Sequence, residues 1–284
     1  MGITKFHNGI TTIRQSKKPI SKAWELSYEL LNLDKKLLKV IEILGDHENL
    51  FINKNPYHNH YHLSEVIWTS AYFASKEISK EEDKYFENMV VLLFAATFHD
   101  AGHLGRSNKT PFELETISVE FFKNWWKNNS LFVENIVSLN PIQIEHLICE
   151  MILFTEFSEG QEKVTRDYLE KKDGEAFGIK INRLKKILNE SDFLFNCLPR
   201  YAFEKTTLIF KESVRTAEEE KMWLLLLEML NQMQNNIFIS DAAKELKIEA
   251  TIKKFIAFLL ENKEEMKDGM YLQSVVEEKF KNTI

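Results

Sequence analysis

Glycine, proline and cysteine are scarce in this chain of 284 residues, with nine, five and two copies respectively. Because glycine and proline interrupt regular structure, their scarcity favours long segments with few turns. Two cysteines exclude a disulfide framework, so we expect a reducing, cytoplasmic location. What is abundant is phenylalanine, whose 21 side chains can fill a sizeable apolar core.

Charge and hydropathy exclude two classes of partner. Lys and Arg total 37 against 43 Asp and Glu, a formal charge of −6, whereas nucleic-acid binders are normally basic. The longest apolar run covers 90–98, far short of the roughly 20 residues that span a bilayer. The N-terminal segment has no apolar core typical of a signal peptide. We therefore expect neither a nucleic-acid nor a membrane partner.

Apolar spacing predicts an all-α protein. A stripe of leucine and isoleucine over 23–44 has the period of a helix, and we find no alternating strand pattern. Capping residues precede proline at 55–56, 110–111 and 140–141, and Ser79 with Glu82 resembles a capping box. Helices should therefore begin near 56, 80, 111 and 141. Further helical patterns cover about 178–197, 199–213, 216–234, 241–262 and 263–281, whereas the polar segment 157–177 is a loop or a solvated helix.

Histidines are concentrated in two short segments. In "NPYHNHYHLSEV" (55–66), His58 and His62 are four residues apart and would share one face of a helix that starts near Pro56. In "LLFAATFHDAGHLGRSN" (92–108), His99 and Asp100 follow an apolar helix directly, and glycines then place His103 in a turn. Either segment alone is more often structural, so the prediction of a site depends on both together.

Asp100 indicates a metal ion. An ionised carboxylate at the end of a buried apolar helix is costly unless its charge is neutralised. Imidazole nitrogen with carboxylate oxygen suits Zn²⁺, Mn²⁺ or Fe. Asp192 is the best candidate for a further ligand, because apolar residues follow it on a predicted helix. We therefore predict a metal site in the helical core formed by His62, His99, Asp100 and Asp192.

These residues resemble the His…His-Asp…Asp order of the HD-domain metal-dependent phosphohydrolases. "YHNHYHLSEV" and "HDAGHLGRSN" are similar to the Tyr-His-Asn-x-x-His-Ala-x-Asp-Val and His-Asp-x-x-His-Pro-Gly-x-x-Asn motifs of the cyclic-nucleotide phosphodiesterases. "MILFTEF" resembles their Ile-Leu-x-Thr-Asp-Met. The resemblance implies one all-helical, bundle-like catalytic domain over 1–284. Its HD core would cover about 23–215, and C-terminal helices over about 216–284 would complete the substrate pocket.

The resemblance also implies roles for individual residues. Two divalent ions (Zn, Mg, Mn or Fe) would be bound, with Asp100 bridging them. His58 would be the general acid, and His103 would lie beside the bridging water. Tyr57 and Asn108 would contribute to the nucleotide pocket. Supporting positions around the centre would be Asn59, Glu115, Thr155 and Glu156.

Some positions depart from the family pattern. In "IKKFIAFL", Phe255 stands where the family stacks a Phe on the base, but Ile252 replaces the Gln that hydrogen-bonds it. Gln232 or Gln234 is the alternative source of that bond. The segment "NKTPFELETISVEFF" is instead similar to small bacterial HD phosphohydrolases.

We therefore expect first a phosphohydrolase that converts 3′,5′-cyclic nucleotides to 5′-nucleoside monophosphates. The alternatives are an HD phosphohydrolase for acyclic nucleotides or other phosphate esters, and a non-catalytic nucleotide sensor. The expected partner is a small nucleotide, and a homodimer is compatible with the sequence.

Overall fold

The computed structural model describes residues 3–134, 136–156, 176–212, 222–234, 238–263, 275–276 and 278–280. Over these ranges the chain is helical and contains no strand, apart from one isolated β-bridge between Ala176 and Ile179, so the all-α prediction is confirmed. The helices are α1 (Ile3–Arg14), α2 (Pro19–Leu31), α3 (Leu38–Asp46), α4 (His60–Glu77), α5 (Tyr85–Phe98), α6 (Glu113–Asn129), α7 (Leu131–Glu134), α8 (Pro141–Leu153), α9 (Ile181–Cys197), α10 (Pro199–Glu212), α11 (Met222–Met233), α12 (Asp241–Glu245) and α13 (Ile248–Glu261). Short 3₁₀ turns occupy Lys35–Leu37 and Glu48–Phe51.

The chain forms two compact units, Met1–Ser191 and Asp192–Ile284. The arrangement as one domain with a core over about 23–215 stays a prediction. No described helix has the length and apolar character needed to cross a membrane. The predicted loop over 157–177 lies outside the described residues except for its last two positions, and so does most of the predicted helix over 263–281.

Helix α5 is the centre of the first unit. Every residue from Asn88 to Phe98 is buried, as expected for a helix that is apolar on all sides. It packs against α4, α6 and α8. Trp24 of α2 lies edge-on to Phe94 and donates a hydrogen bond from Nε1 to Thr97 Oγ1 at 2.8 Å. This core fixes the end of α5, where His99 and Asp100 follow.

The start of α8 confirms one predicted cap, whereas the start of α4 corrects another. Asn140 and Gln143 form a complete capping box, with Pro141 as the first residue of α8. Helix α4 begins at His60 and not near 56. Its cap is Asn59, whose Oδ1 accepts hydrogen bonds from the backbone N–H groups of Tyr61 and His62. Asn59 rather than Asn55 is the cap, because its side chain also donates to the backbone oxygens of Asn55 and Pro56. These two bonds hold 55–59 in a turn.

Three other predicted boundaries are also corrected. The stripe over 23–44 is two helices, α2 and α3, because Asn32 adopts a left-handed conformation (φ 54°). Helix α5 begins at Tyr85, since the Ser79–Glu82 hydrogen bond closes a turn before it. Helix α6 begins at Glu113 after a left-handed Phe112 (φ 61°).

In the second unit, α10, α11 and α13 pack together. The predicted helix over 241–262 is two helices, α12 and α13, because Lys247 interrupts it with a left-handed conformation (φ 56°). The buried face of α13 includes Ile252 and Phe255, and Phe255 lies edge-on to Phe280 at a centroid distance of 5.4 Å.

Candidate metal centre

Three predicted ligands of the first unit meet at one point. His62 lies in the first turn of α4, and His99 and Asp100 directly follow α5. The Nε2 atoms of His62 and His99 are 3.3 Å apart, and they lie 3.2 and 3.3 Å from Asp100 Oδ2. Both imidazoles are buried. The structure thus brings these three residues together, and their role as metal ligands stays a prediction.

The protonation of His99 favours a cation. Its Nδ1 lies 2.9 Å from the backbone oxygen of Ala96, which can only accept, so we assign the proton to Nδ1. With a metal ion bound, Nε2 of His99 would carry no proton and would present its lone pair to the ion. Two donors each about 2.0–2.1 Å from one tetrahedral ion lie about 3.3–3.4 Å apart. The observed spacing of nitrogen and oxygen donors therefore fits a divalent metal ion.

Asp100 is held ionised. Burial raises the pKa of its carboxyl group, but the charges of His99 and His58 and the hydrogen bonds from His62 and His99 lower it by more. The pKa therefore lies well below its usual value. An ionised Asp100 between two imidazoles is the state that a metal ligand requires.

His58 and His103 stack beside this cluster. Their ring centroids are 3.6 Å apart with an interplanar angle of 25°, and His58 Nε2 lies 3.8 Å from Asp100 Oδ2. His58 precedes α4, so the prediction that it shares one helical face with His62 is wrong. It still reaches the cluster, because two asparagines hold the backbone: Asn53 Nδ2 donates to the His58 oxygen (2.8 Å) and Asn55 Nδ2 to the His103 oxygen (2.6 Å).

Tyr57 and Asn59 support the same histidines. Buried Tyr57 lies edge-on to His58 at 4.6 Å and tilted against His62 at 4.7 Å, measured between ring centroids. Asn59 caps the helix that carries His62. The Tyr57 contacts restrict the orientation of the His58 and His62 rings.

Acidic side chains surround the centre. Asn108 Nδ2 donates to both carboxylate oxygens of Glu115, at 3.0 and 3.3 Å. Burial raises the pKa of Glu115, and the charges of Asp100 and Glu156 raise it further, against the hydrogen bond from Asn108. Glu156 is only 4% exposed, and its Oε2 has no hydrogen-bond partner among the described residues. Thr155 bonds back to the Ile152 oxygen. Positive charge near Glu115 and Glu156 would offset their desolvation.

The remaining predicted residues belong to the second unit. Asp192 is its first residue and is partly buried on α9. Ile252 and Phe255 are both 0% exposed within the core of that unit. Their apolar side chains lie on the buried face of α13 within that unit, and the expectation that they contact a base stays a prediction. Gln232 is exposed, and Gln234 Nε2 donates to Asn231 Oδ1.

Sequence reasoning missed a partly buried ion pair on the helix that carries His62. Arg14 of α1 lies 2.7 Å from Glu65, which is completely buried one turn after His62 on α4. It also missed the anchoring roles of Asn53 and Asn55. The Arg14 and Glu65 positions are 51 residues apart, so no local pattern connects them.

The helical arrangement is the fold of phosphodiesterase domains. The phosphodiesterase domain of the RhoPDE fusion protein from the choanoflagellate Salpingoeca rosetta matches with a TM-score of 0.58 and 16% identity, over 95% of this chain and 94% of that one. LmjPDEB1 in complex with IBMX matches with a TM-score of 0.53 and 13% identity, over 96% and 91%. No protein-family model matches the chain.

One short stretch is more similar in sequence. Over 56 residues the chain is 45% identical to the human high affinity cAMP-specific and IBMX-insensitive 3′,5′-cyclic phosphodiesterase 8A. The mouse protein of the same name is 44% identical over 62 residues. The chain spans about 7% of the length of these relatives, and the human match covers 20% of the chain itself.

Proposed function

We propose that this protein is a metal-dependent phosphodiesterase that hydrolyses 3′,5′-cyclic nucleotides to 5′-nucleoside monophosphates. The observation that carries the proposal is the convergence of His62, His99 and Asp100 beside the stacked pair His58 and His103. The fold shared with phosphodiesterase domains supports the reaction class. The short stretch that is 45% identical to a cyclic-nucleotide phosphodiesterase supports the substrate class.

The proposed metal ligands are His62, His99, Asp100 and Asp192, with Asp100 shared between two ions. The donor spacing of the first three supports this, as does the ionised state of Asp100. Asp192 is proposed from its place in the sequence motif. The negative charges of Glu115 and Glu156, which are not among the proposed ligands, would help to neutralise the charge of a second ion. When bound, the ions would lower the pKa of a water molecule, and their positive charge would neutralise the phosphate.

His58 is the proposed general acid. The leaving 3′-oxygen needs a proton, and a histidine has a pKa suited to donating one near neutral pH. Asp100 Oδ2, 3.8 Å from Nε2, stabilises the protonated imidazole before transfer. The stacked His103 ring and the edge of Tyr57 restrict the orientation of His58, so that the proton leaves in a fixed direction.

Asn108 shapes the loop at the proposed nucleotide pocket. Its Oδ1 accepts a hydrogen bond from the backbone N–H of Leu114 at 2.8 Å, and its amide binds Glu115. The bidentate ion pair between Arg106 and Glu113 closes the same loop. We therefore propose that Asn108 acts on the pocket by holding this loop next to the centre.

The deciding experiment is a substrate panel. Full-length protein supplied with Zn²⁺, Mg²⁺ or Mn²⁺ is incubated with cyclic AMP, cyclic GMP and linear nucleotides, and the products are separated by chromatography. We expect 5′-monophosphates from the cyclic substrates, and none from an Asp100→Ala variant. Phosphate release from linear nucleotides alone would instead identify a phosphohydrolase of the wider HD type. Binding without turnover would indicate the nucleotide sensor.

A homodimer stays a prediction. Sedimentation velocity of the full-length chain over a range of concentrations would test it directly.

A further inference from the structure

A pocket on the first unit lies outside the metal centre. It has a volume of about 410 Å³, and its walls come from α6 and from the segment that follows α3. The side chains that shape it are His47, Leu50, Phe121, Asn124, Trp125 and Asn129. This volume is in the range of small-molecule sites in proteins. None of these residues is a proposed metal ligand or general acid, and none is acidic or a permanent cation.

The polar atoms of the pocket are arranged by the protein itself. Trp125 donates a hydrogen bond from Nε1 to His47 Nδ1 at 3.0 Å. A neutral His47 must then carry its proton on Nε2, which makes Nε2 a donor. No described residue accepts a hydrogen bond from this Nε2. The pocket therefore contains one imidazole donor whose tautomer is fixed by its neighbour.

Asn129 supplies an acceptor. Its side chain is only 7% exposed, and its Nδ2 donates to the Trp125 oxygen at 2.7 Å, which orients the carboxamide. Within the described part of the chain, no group donates to its Oδ1. Water can still reach this oxygen, because it is not one of the fully buried polar atoms without a partner. A ligand with an N–H group would replace that water as the donor to Asn129 Oδ1.

The apolar walls are rigid and aromatic. The Trp125 ring lies 5.2 Å from Phe98 and 5.8 Å from Phe94, and Phe121 lies 5.9 Å from Phe51, measured between ring centroids. These contacts hold both rings in place before any ligand arrives, which lowers the entropy that binding must overcome. Leu50 is 54% exposed at the same pocket, so a ligand would cover an apolar side chain that now faces water.

We infer that this pocket binds a neutral, planar heteroaromatic molecule with both a donor and an acceptor on its edge, and a purine nucleoside has this chemistry. An aromatic ring packs on Phe121 and Trp125, while the edge donates to Asn129 Oδ1 and accepts from His47 Nε2. A neutral ligand fits because no charged side chain is there to pair with an ion. The inference concerns binding only and holds whether or not the proposed hydrolysis is correct.

The test uses adenosine as the probe and titration calorimetry on the full-length chain. We expect saturable binding with one adenosine at this pocket. Purine riboside lacks the amino group that would donate to Asn129, so it should bind about three- to tenfold more weakly, since a hydrogen bond contributes about 1 kcal/mol. Equal affinity for the two nucleosides would overturn the proposed edge recognition.

Variants distinguish this pocket from the metal centre. Leu50→Trp fills the pocket from its exposed side and should weaken adenosine binding at least tenfold. The matched control Leu131→Trp changes a leucine that is 72% exposed elsewhere, and it should leave the affinity unchanged. Asp100→Ala should also keep this binding, provided that circular dichroism shows a folded protein. Binding that survives Leu50→Trp, or that is lost with Asp100→Ala, would reject the pocket as the site.

Discussion

The two histidine segments reach the same candidate metal centre by different structural means. In 55–62, Asn53 Nδ2 donates to the His58 oxygen and Asn59 Oδ1 caps the start of α4 before His62, while Asn55 Nδ2 donates to the His103 oxygen and so links the two segments. In 99–103, the apolar packing of α5 fixes His99 and Asp100, and the backbone turn at Gly102 (φ 87°) carries the chain to His103. The first segment should therefore be sensitive to loss of side-chain donors and acceptors, and the second to loss of glycine or of Asp100 itself.

The largest effect is expected from Asp100→Ala. Asp100 contacts three of the four histidines at the centre, through separations of 3.2 to 3.8 Å from His62, His99 and His58. Its removal takes away the negative charge that makes the cluster attractive to a cation. Protein purified without chelator should contain at least one transition metal per chain by elemental analysis, and the variant should lose most of it and its turnover. Exposed Asp83→Ala is the control, and undiminished metal in Asp100→Ala would contradict the assignment.

His58→Ala should slow hydrolysis but leave metal content unchanged. Loss of a general acid typically costs about 10²- to 10⁴-fold in rate. The defect should shrink on a p-nitrophenyl phosphodiester, whose leaving group hardly needs a proton. His146→Ala, at a histidine whose side chain is 64% exposed, is the control. An equal defect on both substrates would argue against proton donation by His58.

Gly102→Ala tests the backbone turn of the second segment. A β-carbon at this position would lie 3.3 Å from Ile117 Cγ2 and 3.5 Å from Phe121 Cδ2, in a left-handed conformation. We expect a loss of about 1–2 kcal/mol in the free energy of unfolding, measured with urea, because of the steric strain of that conformation. Metal affinity should fall as well, since the turn is adjacent to Asp100. An unchanged unfolding midpoint would show that the turn relaxes freely.

Asn59→Ala should give the smallest effect, about 1 kcal/mol in the free energy of unfolding, which is typical of a lost helix cap. Asn59→Asp keeps the oxygen that accepts from Tyr61 and His62 but loses the donation to residues 55 and 56. It should fall between the wild type and Asn59→Ala. If both variants were equally destabilised, the turn over 55–59 would matter more than the cap. That result would mean that the first histidine segment, like the second, depends chiefly on its backbone turn.

Much of the candidate metal centre could be predicted from residue type and order. An ionised aspartate at the end of a buried apolar helix is costly without a cation, so the position of Asp100 beside His99 predicts a cation site from the sequence alone. The same holds for the all-α class, which follows from periodicity and from the scarcity of glycine and proline. The Asn140 cap was also predictable, because a capping box is a local pattern within four residues.

The features that the sequence could not predict depend on competition between similar residues for one role, or on contacts between residues that are far apart in the chain. Asn55 and Asn59 both have capping side chains, and only the hydrogen bonds of the folded turn decide that Asn59 caps α4. Ile252 and Phe255 match a family motif in order, and only the folded unit shows that both side chains are buried; their contact with a base stays a prediction.

The sequence by itself determined the helical class and the chemistry of the centre, because both are set by local spacing and by the cost of burying a charge. Only the tertiary structure decided which groups meet across long separations. His47 and Trp125 are 78 residues apart, and Arg14 and Glu65 are 51 apart. Such pairs form when helices pack, since burying apolar faces brings together polar atoms that must then find partners. Local patterns do not encode those encounters.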